Sequence, residues 1–315
     1  MRGVAIAIVL GVATSAAADT DDLDLTQLGT KITDGSGNVT SVVGQNLEFR
    51  ELASQLGVVL APQLLTPADS LGFSGFQFSV DYSNTTIDRS AGYWRALEGP
   101  APSMMQTVGF FVRKGMWFPV PSIEVGAGAV HLFDSHVWTG QLYTKLSLHE
   151  GYHDLPLPSL SVRGAVSRMM TQSQLDLTVA SLDVAVSKHV GIGGTWRLDP
   201  FAGWDLLVII PRSEVIEGTP NIDPLAPGNS SDTLNNFVFR DQSNIYRNRF
   251  FLGAKLQYYV FQLTIEATLA LKGSSVDSRQ GTNDPCEPES TTAMCAAKDG
   301  AASQTTLSFS AGFDF

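Results

Sequence analysis

The chain has 315 residues, 16% charged and 43% hydrophobic, with 29 glycines; 20 Lys and Arg face 31 Asp and Glu for a formal net charge of −11. So acidic a chain, with no basic stripe, is not built to grip nucleic acid. Its hydrophobic content also excludes a disordered chain, and its composition a coiled coil.

Residues 1–18 read as an export signal: Met1-Arg2 is the positive start, Val4 to Val12 the apolar core, and Ala16-Ala17-Ala18 the small-residue cut site. The expected mature start is Asp19, and with no cysteine at the cut a lipid anchor is not expected. Beyond the signal, no run approaches the 18 or more apolar residues of a membrane helix. Two classes survive, a secreted β protein and a transmembrane β-barrel, whose segments of about ten alternating residues leave only a weak hydropathy trace.

Asp19 to Gln45 is polar and acidic and is expected to be a mobile lead-in. Leu47, Leu52, Leu56 and Val59 stand near helical spacing, which predicts a short helix over 47–60 that either plugs a barrel or lies at its rim. Residues 19–70 form the expected periplasmic N-terminal segment, and 71–315 the barrel.

The strands follow by period-2 alternation. Phe76, Phe78, Val80 and Tyr82 oppose Gln77, Ser79, Asp81 and Ser83. Shorter or similar patterns follow at Val108 to Val112, Ile123 to Ala129, Trp138 to Leu148 and Leu160 to Val166. Leu175, Leu177 and Val179 change parity to Leu182, Val184 and Val186, which predicts a bulge. Trp196 to Val208 keeps one parity across Pro200, and Phe250 to Tyr258 and Phe261 to Leu271 meet at a tight turn. The last strand runs Leu307, Phe309, Ala311, Phe313, Phe315. The sum is a closed all-β antiparallel transmembrane barrel of about ten strands. Its long connections, near 84–104, 211–244 and 273–302, all fall on one side of the meander, as outer loops do.

The ending on alternating apolar residues and a terminal aromatic, through Leu307, Phe309, Phe313 and Phe315, resembles the assembly signal of Gram-negative outer-membrane β-barrels. That resemblance implies an outer-membrane location, contact with membrane lipid and with the barrel assembly machinery, and both termini in the periplasm. Thr66-Pro67-Ala68, leading into Gly75 to Ser83, resembles the FadL-like outer-membrane transporters where their N-terminal hatch meets the first strand. It implies diffusion of hydrophobic substrates past an N-terminal plug.

If the apolar parity faces lipid, the lumen carries Asp81, Arg113, Glu124, Lys145, Arg163, Asp183, Arg197, Asp205, Arg249, Lys255, Glu266 and Lys272. Mixed charge of this kind lines a selective pore or fills a small barrel with ion pairs. Cys286 and Cys295 sit in the last long loop and, in an oxidising compartment, are expected to form a disulfide. His149-Glu150-Gly151-Tyr152-His153 matches a zinc-protease pattern, but that chemistry needs a helix, and Asp154-Leu155-Pro156-Leu157-Pro158 cannot continue one.

The expectation is therefore no enzyme, no cofactor and no metal. Passive transport of small solutes is the leading function. A non-transporting structural, adhesive or partner-binding surface protein is the alternative; lumen occlusion separates the two. Substrate and oligomeric state stay open.

Overall fold

The computed structural model describes residues 19–118, 122–150, 157–219, 232–277 and 298–315. After a 3-10 turn at Leu25–Leu28, the elements are β1 (Gly29–Thr33), β2 (Val39–Gly44), α1 (Asn46–Val59), β3 (Phe76–Thr86), β4 (Met104–Met116), β5 (Ile123–Leu132) and β6 (Trp138–His149). Then come β7 (Ser159–Met169), β8 (Leu175–Ser187), β9 (Val190–Ile192), β10 (Trp196–Ser213), β11 (Ile245–Tyr258), β12 (Phe261–Ala270) and β13 (Gln304–Asp314).

Ten of these strands form one antiparallel meander, β3 to β8 and β10 to β13, and β13 returns to pair with β3 from Thr306↔Thr85 to Asp314↔Gln77. The ring is a closed ten-stranded barrel. Closure leaves no strand edge with unpaired N–H and C=O groups, the condition for a sheet to stand in hydrocarbon. No described helix is long and apolar enough to cross a membrane; the strands do so.

Alternation turns the greasy parity outward. Phe110, Leu142 and Leu252 are more than half exposed, whereas Gln77, Asp205, Gln262 and Ser308 on the opposite parity are fully buried. A water-soluble barrel has the reverse arrangement, so the outer face calls for an apolar solvent. Phe78, Phe313 and Phe315 cluster at the β3–β13 seam with ring centroids 5.5–6.3 Å apart. Tight connections such as Tyr258–Phe261, where Tyr259 adopts φ +52°, share the turn rim with Phe315. The described residues of the connections 87–103, 214–244 and 271–303 share the opposite, loop rim.

Three expectations change here. First, the leucines of β8 mark no bulge: its ladders to β7 and β10 run unbroken. Leu175, Leu177 and Val179 simply face inward, because the loop-rim half of the lumen holds an apolar core. α1 supplies the other side of that core with Leu52, Leu56 and Val59, packed against Val179, Leu207 and Ile209. The helix sits so close to β10 that a Cβ on Gly57 would stand 2.5 Å from Ile209 Cδ1.

Second, the acidic lead-in is structured. Leu25 and Leu28 are fully buried, and β1 and β2 form a hairpin. Third, the lead-in does not share an end of the barrel with the C-terminus. Asp21 N–H donates to Asp134 O, and Leu23 bridges to Leu97, both at the loop rim. From there α1 descends into the lumen and residues 60–75 continue down it to the turn rim, where Phe76 pairs with Phe315. The N-terminal segment thus runs the length of the barrel.

Candidate functional site

The turn-rim half of the lumen is polar, and the strand register sets its charges in order. Glu124, Lys145, Arg163, Asp183, Asp205 and Arg249 are successive cross-strand partners on β5, β6, β7, β8, β10 and β11. Their register makes one oblique belt across six adjacent strands. Within it Lys145 Nζ lies 3.1 Å from Glu124, Arg163 Nε 2.5 Å from Asp183, and Arg249 Nε 2.6 Å from Asp205. All six side chains are buried. Burying a charge is costly unless it is paired and hydrogen-bonded, and neighbouring strands supply each partner directly.

The remaining expected lumen residues fall into four groups. Arg113 pairs with Asp81 at 3.3 Å and also donates to Gln77 and Ser79. Near the turn rim, Arg197 holds Asp199 at 2.7 Å and Asp69 at 3.7 Å, and Lys255 holds Asp314 at 2.9 Å. Glu266 is the acceptor for the Leu65 N–H. Lys272 does not line the lumen, because β12 ends at Ala270 and Lys272 lies exposed in the loop beyond it.

The belt also holds what runs through it. Arg249 and Arg163 donate to the carbonyls of Pro62 and Gln63, and Lys145 to those of Pro67 and Asp69. Higher up, α1 is fixed through its own side chains. Arg50 donates to the Ser243 carbonyl and to Ser275, and Ser54 donates to Asp299 while accepting from Arg247. A narrow gap of about 20 Å³ between segment and wall has room for roughly one water. A polar cavity of about 330 Å³ lies at the turn rim among Asp69, Arg197, Lys255 and Asp314.

Sequence reasoning missed Arg247 and Asp199, although each shares parity with a neighbour that it did select. It had no signal for Arg50, Ser54 or Asp299, whose meeting depends on the threading of the chain. Cys286, Cys295 and His153 lie outside the described residues. His149 ends β6, and Glu150 accepts from Ser70, so that motif belongs to a strand end. At the loop rim, Asp19, Asp22 and His136 bring one potential ligand atom each within 4.8 Å of one another. His136 Nδ1 and the Asp22 carboxylate stand 2.5 Å apart, a hydrogen-bond distance.

The closed wall, its apolar outer face and its charged interior define a transmembrane β-barrel. No protein-family profile matches the sequence, and no curated protein does. Among solved structures, similarity extends to an outer-membrane channel of Pseudomonas putida F1, with 11% identity over 79% of this chain and 98% of that one, at a TM-score of 0.32. Ail, the attachment invasion locus protein of Yersinia pestis, matches at 10% identity over 77% and 99%, with a TM-score of 0.28. OmpT of Vibrio cholerae matches at 9% identity over 67% of this chain, with a TM-score of 0.27, and the match spans 56% of OmpT.

Proposed function

We propose that the protein is a Gram-negative outer-membrane barrel whose lumen is sealed by its own N-terminal segment and whose working surface is the loop rim: a structural or partner-binding surface protein. The observation that carries this reading is the occupied lumen. An apolar plug of α1 against β8 and β10 fills one half, and belt-held residues 60–71 run through the other. With short turns inward and long connections outward, as in barrels of this class, residues 19–45 stand at the cell surface.

The test is planar-bilayer conductance of the refolded chain from Asp19. Silence across the applied voltage range is expected; discrete openings in the intact chain would sink the surface reading.

A second reading, gated passage of small solutes, is favoured by the 330 Å³ polar cavity at the turn rim and by the FadL-like approach to the first strand. It requires openings and solute flux once residues 19–66 are removed. Silence after removal eliminates an ion-conducting gate.

A further inference from the structure

The polar cavity of about 330 Å³ at the turn rim is walled by β3, β5, β6, β10, β11 and β13 and by residues 66–75. Ser74 and Phe315 are exposed where it meets the rim, whereas Glu124 and Lys145 of the belt, which also line it, are fully buried. A molecule entering from the rim meets the belt and leaves by the way it came.

Two buried groups in this cavity lack a partner. Gln77 is fully buried and lies in register between Arg113 and Asp314. Arg113 can only donate, so its 3.1 Å contact fixes the Gln77 oxygen and leaves Nε2 as a donor without a partner among the described residues. The other group is the buried Asp69 carboxylate. Its Oδ1 accepts no hydrogen bond among the described residues, and its one ion pair there, to Arg197, is loose at 3.7 Å. Buried polar groups in this state call for a guest or for ordered water.

Two of the lining cations also have donors to spare. Lys255 reaches across β12 to Asp314 at 2.9 Å, one contact for the three protons on Nζ. Arg197 gives its Nε to Asp199 at 2.7 Å, and among the described residues its terminal nitrogens meet no carboxylate closer than Asp69. The lining as a whole is balanced, with Asp69, Glu124 and Asp314 against Lys145, Arg197 and Lys255. A guest with a single charge would leave that charge uncompensated. An apolar guest would dry the orphan groups without replacing their water. A guest with one charge of each sign avoids both costs.

We propose that the turn-rim cavity is a binding site for a small amino acid in its zwitterionic form. Its carboxylate takes the spare donors of Gln77 and Lys255, which flank Asp314, and its ammonium group takes Asp69. This goes beyond the sealed-barrel reading and is independent of it. The space exists with residues 60–75 in place, so no segment has to leave and the barrel need not conduct.

The test follows the side-chain amide resonances of Gln77, assigned by their loss in Gln77→Glu, in the refolded chain from Asp19 in phospholipid nanodiscs. The titrants are L-alanine and its two halves: propionate, which lacks the ammonium group, and ethylamine, which lacks the carboxylate. Saturable shifts are expected with alanine, and binding at least about tenfold weaker with either half. Asp69→Asn keeps the main-chain contact of residue 69 with Lys145 and removes the charge. With strand content unchanged, it should weaken alanine at least about tenfold and leave propionate no weaker. The titrations of the unaltered chain decide the matter even if that variant does not fold. No saturable shift with alanine means that the cavity holds water only. Propionate binding as tightly as alanine makes it an anion site, and ethylamine doing so a cation site. Each of these results overturns the proposal, as does a folded Asp69→Asn chain that binds alanine like the parent.

Discussion

The buried pairs of the belt and the exposed pairs at the rims look alike on a contact map and differ in consequence. Arg249→Ala leaves Asp205 buried without its partner, which is expected to destabilise the barrel by about 3–5 kcal/mol. Arg168→Ala, which breaks a pair whose arginine is 66% exposed, is expected to cost no more than about 1 kcal/mol. Urea unfolding of the two variants in matched lipid checks the contrast; equal losses would mean that the belt is solvated. At the loop rim, burial with Asp134 alongside lifts the Asp21 carboxyl from 3.8 to about 6, and the hydrogen bond to the Asp22 carboxylate lifts the His136 imidazole above 6.5. A proton held more tightly in the folded state stabilises that state only while it is bound. Asp21 therefore contributes fully below about pH 4 and loses its contribution by about pH 6. His136 contributes below 6.5 and loses it as pH rises through its raised folded value. Attachment of residues 19–28 should weaken in two steps from pH 4 upward, read as falling protection of the Leu25 amide, which donates to Gln174. Protection that is flat or rising with pH, after correction for intrinsic exchange, refutes this. All six belt charges were legible from parity alone, because strand geometry sends alternate side chains inward. Their partners were not, since register is a property of two strands and parity a property of one.

Among elements, α1 and β8 show where alternation misleads. In the polar half a lumen-facing position carries Ser or Asp, as Ser181 and Asp183 do; in the apolar half it carries Leu177 or Val179. The period never changes, but the solvent on the inner side does, from polar wall to helix. A parity slip in the sequence therefore locates the depth at which the plug begins. The contact that sets that depth is Gly57 on Ile209. Gly57→Leu cannot be seated without moving α1 off β10, because overpacking of this size costs about 1–3 kcal/mol or forces a shift. The expected outcome is a lowered unfolding midpoint with barrel strands intact and faster exchange of α1 amides. A variant as stable as the parent would show that the helix is loosely seated.

For the whole molecule, the closed barrel could be read from the sequence and the path of residues 19–75 could not. The barrel rests on local alternation repeated ten times. The path rests on contacts between residues far apart in sequence, such as Arg50 with Ser275 or Asp21 with Asp134. Composition suggested a mobile lead-in because Asp19 to Gln45 is acidic, yet Leu23, Leu25 and Leu28 find buried sites once the long connections are in place. The placement predicts that an epitope inserted at the exposed hairpin tip, residues 34–37, is reached by antibody on intact cells. Labelling that appears only after the outer membrane is breached would reverse the assigned orientation.

A chain that passes through a ring made of its own later residues also dictates an order of events. Once β13 has zipped to β3, the β1–β2 hairpin cannot be pushed through a lumen of this bore. Residues 19–75 therefore either lie across the nascent sheet before that last seam shuts or thread the ring unfolded and fold at the loop rim afterwards. The finished molecule is held by topology as well as by bonds. Even with every hydrogen bond to residues 60–71 broken, the folded hairpin blocks withdrawal toward the turn rim, so the segment leaves only by unfolding or by being cut.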